Sequence, residues 1–376
     1  MKSDTQVRTV KPRAGFRSAL IFGGAGFIGC NWAHYLLRNT DAKVHIFDNL
    51  SRKGVRHNLE WLQKASDNSG RLQITVGDVR DAGMVERAVR VATEVYHFAA
   101  QVAVTTSICD PRLDFEVNVG GTFNILEAIR KTGNRPFLLF TSTNKVYGAM
   151  ASQGIVSTRL RHSFSDRQAV CERQPLDFYS PYGCSKGAAD QYVRDYARMF
   201  DIPAVIFRMS CIAGPRQFGT EDQGWVAHFL YSALMNNPVV IYGDGRQVRD
   251  VLCVSDLVAA FAAVRENSSM CGGQVYNVGG GPDNTVSLLE LISAIEGLTG
   301  QTLEVVHDET RTGDQLVYVT DFSKLRADTG WKPQMSVRDT LERIYGWWKQ
   351  NRQLFPQAAL ATPPLGALLE QLPRIA

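Results

Sequence analysis

The feature that most constrains this chain is a fully apolar run that ends in glycines. Ser18-Ala-Leu-Ile-Phe22 lacks the polar alternation of a half-exposed strand. It reads as a central parallel strand buried on both faces. Gly23-Gly-Ala-Gly26-Phe27-Ile28-Gly29 follows, and Ile28, Trp32 and Leu36 then recur at helical spacing. A buried strand, a tight glycine turn and a helix, in that order, place the helix's first N–H groups beside a turn without side chains. Such a turn admits a pyrophosphate.

Short β runs at 44–47, 72–76, 95–98, 137–140 and 204–207 follow the first, with helical segments between most of them. The expectation is an α/β fold, a Rossmann-type doubly wound parallel sheet. After Arg208, Gly, Pro, Gln and Arg become frequent, and Ser287-Leu-Leu-Glu290 reads as a capping box. The predicted organisation is a disordered tail over 1–15, a dinucleotide-binding domain over 16–208, a smaller mixed α/β substrate lobe over 209–352, standing apart from the first or interleaved with it, and a C-terminal tail over 353–376.

Ligands of such sheets bind at the carboxyl ends of the strands. The cofactor candidates are therefore Gly23, Gly26, Phe27, Ile28 and Gly29 at the first turn, and Asp48, Asn49, Ser51 and Arg52 after the second strand. Asp78 and Val79 follow the third, Ala99, Ala100 and Gln101 the fourth, and Asn118 completes the set. Asp48 suits adenosine ribose hydroxyls and repels a 2′-phosphate, which favours NAD; Arg52 leaves room for NADP.

In Ser180-Pro-Tyr182-Gly-Cys-Ser-Lys186, Pro181 suits the first turn of a helix. Tyr182 and Lys186 then share one face at i and i+4. A cation beside a phenol lowers a pKa that starts near 10, making Tyr182 a usable general base.

Composition excludes several classes. A net charge of +4 over 376 residues, without a dense basic cluster, argues against nucleic acid. No run of 18 apolar residues suggests a membrane span, and the polar N-terminus has no secretory apolar stretch. Seven scattered cysteines without a CxxC pair fit neither a disulfide framework nor a metal site, and point to a reducing cytoplasm with most thiols buried.

GGAGFIG, the Asp48 strand end, HFAAQ (97–101), STNKVYG (142–148) and YGCSK (182–186) together resemble the extended short-chain dehydrogenase/reductases, nearest their sugar-nucleotide epimerases and dehydratases. The resemblance spans residues 17 to about 350. FDNLSRKG (47–54), QVAVTTS (101–107), RQFGTEDQGWV (216–226) and GRQVRDVL (245–252) are most similar to a subfamily of CDP-hexose 2-epimerases, the CDP-tyvelose (CDP-paratose) type. The resemblance implies catalytic Thr143, Tyr182 and Lys186, bound NAD, a nucleoside diphosphate sugar as substrate, with CDP-hexose favoured, and a homodimer formed by two helices across a two-fold axis. Hydride leaves the sugar carbon for NAD+ and returns to the other face of the ketone.

In the related 4,6-dehydratases a Thr-Asp-Glu run occupies 143 to 145, and related sugar-acid decarboxylases carry Glu at 145. Here Asn144 and Lys145 follow Thr143, so the acid and base of water elimination are missing at these positions. Substrate candidates are Ser107, Thr143, Asn144, Arg216, Gln223, Trp225, Arg249 and Arg311, with the arginines suited to the diphosphate. Cys109, where some related enzymes use a cysteine as acid or base, reads as structural. Residues 149–179 form a long polar loop, a candidate cover for the sugar. A 4-epimerase or net oxidoreductase on another sugar, and a dinucleotide-sensing regulator, are the alternative readings.

Overall fold

The computed structural model describes residues 17–66, 69–150, 152–311 and 313–355. The predicted N-terminal tail and all but three residues of the C-terminal tail lie outside them. Five strands, β1 (Ser18–Phe22), β2 (Lys43–Asp48), β3 (Leu72–Val76), β4 (Glu94–His97) and β5 (Phe137–Thr143), build one sheet with Ala204–Met209 and Val275–Val278. In sequence order the strands run 3-2-1-4-5-6-7 across the sheet, and every pair is parallel. The order reverses between β1 and β4. That switch point opens the crevice in which doubly wound sheets hold their ligands.

The apolar runs form strands because helices cover both faces of the sheet. Helix α1 (Phe27–Asn39) and the helix Val254–Glu266 cover one face; fully buried Trp32 packs there against Tyr96 and Phe261 at 5.1 and 5.6 Å. The helices Ala82–Val89, Gly121–Thr132 and Pro181–Phe200 cover the other. All seven residues of β5 are buried, and the strand carries Thr143 at its carboxyl end.

A second lobe has its own core under the helices Trp225–Leu234, Leu288–Thr299 and Val337–Gln350. Its central strand, Val248–Cys253, pairs with Thr285–Ser287, Val317–Tyr318 and Cys211–Ala213. The Ser287–Glu290 capping box forms as its spacing predicts. Chain order does not divide at 208, where the sequence suggested a boundary. The chain leaves the sheet at Met209, builds part of the second lobe, then returns with Val254–Glu266 and Val275–Val278 before completing it.

The 149–179 segment is not an open loop over the cleft. It contains a small hairpin, Ile155–Ser157 with His162–Phe164, and its apolar residues Phe164 and Val170 pack with Tyr147, Val248 and Tyr318.

Candidate active site

Both lobes line one cleft of about 360 Å³ above the carboxyl ends of the strands. On its cofactor side, Gly23 adopts φ +76°, and a Cβ there would come within 2.6 Å of the Ala99 backbone nitrogen. A Cβ on Gly29 would sit 2.2 Å from the Gly23 carbonyl oxygen. These glycines are needed for the turn and for close helix–strand packing, and α1 begins at Gly26 without a side-chain cap. Phe27 and Ile28 line the cleft.

Asp48 ends β2 and accepts hydrogen bonds from the Ala25 and Leu50 N–H groups at 3.0 and 2.8 Å. Burial raises its carboxyl pKa, and those amides oppose the rise. Asn49 donates to Asp78, and Ser51 donates to Asn49. Asp78, bound to Arg80 at 3.0 Å, is held down at about 2, chiefly by that bond. Val79 is buried against Gly121. The residues present thus fit a dinucleotide: a side-chain-free turn, an uncapped helix start and an anchored carboxylate at the second strand end.

Asn118 lies behind the Ala99–Gln101 strand end rather than on the cleft wall. It occupies a single π-helical turn, accepts from the Gln101 N–H at 2.9 Å, and donates to Gln101 O, Asp114 and Ser185. Its amide ties β4 to the helix that bears Tyr182.

That helix, Pro181–Phe200, starts as predicted. Ser180 caps it through the Gly183 N–H at 2.9 Å, and Pro181 sits in the first turn. Tyr182 faces the cleft beside Thr143. Burial pushes its pKa up to about 12; the Thr143 hydroxyl and the Arg52 guanidinium oppose this, while Asp114 adds to it. Lys186 is buried one turn further along the same helix. Its ammonium donates to Thr141 O at 2.7 Å and lies 4.3 Å from the centre of the Phe140 ring, buried enough to bring its pKa down to about 7.

Unfolded lysine ionises near 10.4. Between pH 7 and about 10 the unfolded chain therefore binds a proton that folded Lys186 lacks, so this group makes stability rise with pH. Lys186→Met is expected to flatten the rise in denaturant midpoint of the ligand-free protein across that window. An unchanged slope would mean that Lys186 keeps its proton in the fold.

The substrate candidates divide. Thr143, Asn144, Gln223, Trp225, Arg249 and Arg311 all line the cleft. Ser107 does not: it is fully buried, donates to Val104 O and accepts the Tyr182 N–H at 3.1 Å, so it supports the helix start. Arg216 does not either; its guanidinium stacks on Trp61 at 3.7 Å, outside the cleft. Trp225 donates to the Cys211 thiol, and Gln223 accepts from Arg52 at 2.7 Å across the mouth of the cleft.

Neither cleft arginine is unpaired. Arg249 donates to Asp314 at 2.6 Å, and Arg311 lies 3.8 Å over the Tyr242 ring and 3.4 Å from Glu221. Lys145 donates to the same Asp314 oxygen at 3.1 Å. Burial pushes the Asp314 carboxyl up, but Arg249 and Lys145 overcome this and hold it well below the usual carboxylate range. Sequence spacing did not reveal the Asp314 pairing, because Arg249 and Asp314 are joined by strand pairing in the second lobe and Lys145 reaches them from the end of β5. Cys109 is exposed and off the cleft wall, and only Cys30, Cys253 and Cys271 are buried, fewer than predicted. Among the described residues no cluster could hold a metal ion, and no helix is long and apolar enough to cross a membrane.

A dinucleotide turn facing a Tyr/Lys helix across one cleft, with a second lobe above, defines an enzyme of the short-chain dehydrogenase/reductase class. Residues 20–344 match the family described as GDP-mannose 4,6 dehydratase, and the chain belongs to these extended, NAD-dependent sugar-nucleotide epimerases and dehydratases. It is 41% identical over 336 residues to the CDP-paratose 2-epimerase of Salmonella typhi, covering 87% of this chain and 98% of that protein. It is 30% identical over 360 residues to the dTDP-glucose 4,6-dehydratase of Neisseria gonorrhoeae, covering 90% and 97%. The structure of the Thermus thermophilus UDP-glucose 4-epimerase in complex with NAD superposes with a TM-score of 0.74 at 33% identity, covering 89% of this chain and 99% of that one.

Proposed function

We propose that this enzyme is a nucleotide-sugar 2-epimerase acting on a CDP-hexose. The observation that carries the reading is the end of β5. Thr143 and Tyr182 both line the cleft, side chains suited to alcohol oxidation, while the two residues after Thr143 bear an amide and an ammonium. Asp314 reaches the same spot, yet two cations keep it ionised, so it is no proton donor for eliminating water. The identity to a CDP-paratose 2-epimerase supports the nucleotide and the carbon.

NAD+ when bound supplies a hydride acceptor that is restored within each turnover. Thr143 and Tyr182 hold the reacting hydroxyl, and Tyr182 takes its proton and later gives it back. In the ligand-free cleft the Thr143 hydroxyl and Arg52 only partly offset the burial that raises the Tyr182 pKa. Lys186, anchored on Thr141 O, has further N–H donors for a ribose hydroxyl. Arg249 and Arg311 bind the diphosphate.

The same reading includes a homodimer in a reducing cytoplasm. Exposed Phe123 and Tyr192 meet edge to face at 6.0 Å on the helices Gly121–Thr132 and Pro181–Phe200, with Phe115 also exposed, an apolar surface suited to a two-fold partner. None of the seven cysteines is paired.

Incubation of the purified protein with CDP-, UDP-, GDP- and dTDP-hexoses, followed by NMR, tests the function. A C2 epimer from a CDP-hexose is expected. A 4-keto-6-deoxy sugar, or inversion at C4, would overturn it.

A further inference from the structure

Lys145 follows Thr143 by two residues, and the Thr143 hydroxyl accepts its backbone N–H at 3.2 Å. One tight turn thus fixes the Lys145 backbone relative to the hydroxyl that faces Tyr182, and Asp314 holds the ammonium. The ammonium lines the cleft. It has three donors, and among the described residues its hydrogen bond is to Asp314. Asp314 is shared with Arg249. The three charges sum to one positive, with the carboxylate shared between Arg249 at 2.6 Å and Lys145 at 3.1 Å.

Resting on the reading of the cleft as a nucleotide-sugar site, we propose that Lys145 is a specificity-determining residue: it donates to a ring hydroxyl of the hexose, and Asp314 is its positioning residue and counter-ion. Asp314 then offsets the pull of the Lys145 ammonium on a sugar carboxylate. An ammonium without its counter-ion would favour a sugar carrying a carboxylate. An apolar side chain would not distinguish a hydroxyl from a deoxy carbon, whereas a site built to bond a hydroxyl discriminates strongly against its loss.

The test is binding to NAD-loaded protein, so it does not depend on turnover. Dissociation constants are measured for CDP-glucose and its 3- and 4-deoxy analogues, with the UDP series in parallel, for wild type and Lys145→Met. Wild type is expected to prefer the parent sugar over one deoxy analogue by roughly tenfold or more, the scale of a hydrogen bond to a charged group. Lys145→Met is expected to abolish that gap alone. Equal weakening toward every sugar, or an unchanged gap, would overturn the proposal. If only the UDP series binds, the CDP assignment fails while the Lys145 comparison still stands.

Asp314→Asn gives an independent readout. Affinity for UDP-glucuronate relative to UDP-glucose is expected to rise roughly tenfold, on the same scale for pairing a freed cation. Both ligands carry the same diphosphate, so the change at Arg249 cancels in the ratio. No change in the ratio would overturn the counter-ion role.

Discussion

Replacing Tyr182 with Phe is expected to lower turnover by about 10³-fold, within the range general acid–base groups contribute, while NAD stays bound. The substitution removes one oxygen from a side chain packed at the end of β5, and the ring still fills its place. The helix start depends on Ser180, Pro181 and the Ser107 contact to the Tyr182 backbone, none of which uses the phenol. The dinucleotide turn lies on other elements. The loss should therefore fall on kcat, with little change in the dissociation constant of a CDP-hexose. Single-turnover kinetics together with NAD content after purification would check this. A variant retaining a tenth of wild-type activity would mean that another group moves the proton.

The second large effect concerns stability. Asp190 and Arg208 form a two-pronged ion pair, both contacts at 2.9 Å, with side chains 0% and 4% exposed. Arg208 also donates to the Tyr147 hydroxyl, which donates to Asn277. The pair fastens the Tyr182 helix to the strand beside β5, with Asp190 one turn beyond Lys186. Asp190→Ala leaves a buried guanidinium without its carboxylate, a loss of about 3–5 kcal/mol. The Asp190 carboxylate also does most to oppose the burial of the Lys186 charge, so the variant should lower the Lys186 pKa further. Urea denaturation of the ligand-free protein measures the first effect. A loss below about 1 kcal/mol, the scale of an exposed pair, would mean that solvent reaches Arg208.

Much of this was legible in the chain because it is local. SALIF, the glycine turn and the helix behind it are contiguous, as are Tyr182 and Lys186 one helical turn apart. The six β runs became strands, with ends shifted by a few residues. Pairings between distant segments were not legible. Val275–Val278 joins the large sheet because Ala204–Met209 is its edge, which no local pattern at 275 reveals. Asp314 meets Arg249 because Val248–Cys253 pairs in parallel with Val317–Tyr318, and Lys145 reaches it from the turn after β5. Ser107 and Arg216 have residue types suited to a substrate, but one supports a helix start and the other stacks on an indole. Lys186 was expected one turn from Tyr182 by its spacing, but its hydrogen bond to the carbonyl of Thr141 has no local signal.

The central claim is that one hydride leaves a sugar carbon and returns to the opposite face of that carbon, with no elimination. The most direct measurement uses a CDP-hexose deuterated at C2, converted in ordinary water and followed by NMR and mass spectrometry. The account predicts a C2 epimer that keeps its deuterium at C2. A product that has exchanged that deuterium for solvent hydrogen would contradict it, since proton abstraction at carbon would then have replaced hydride transfer.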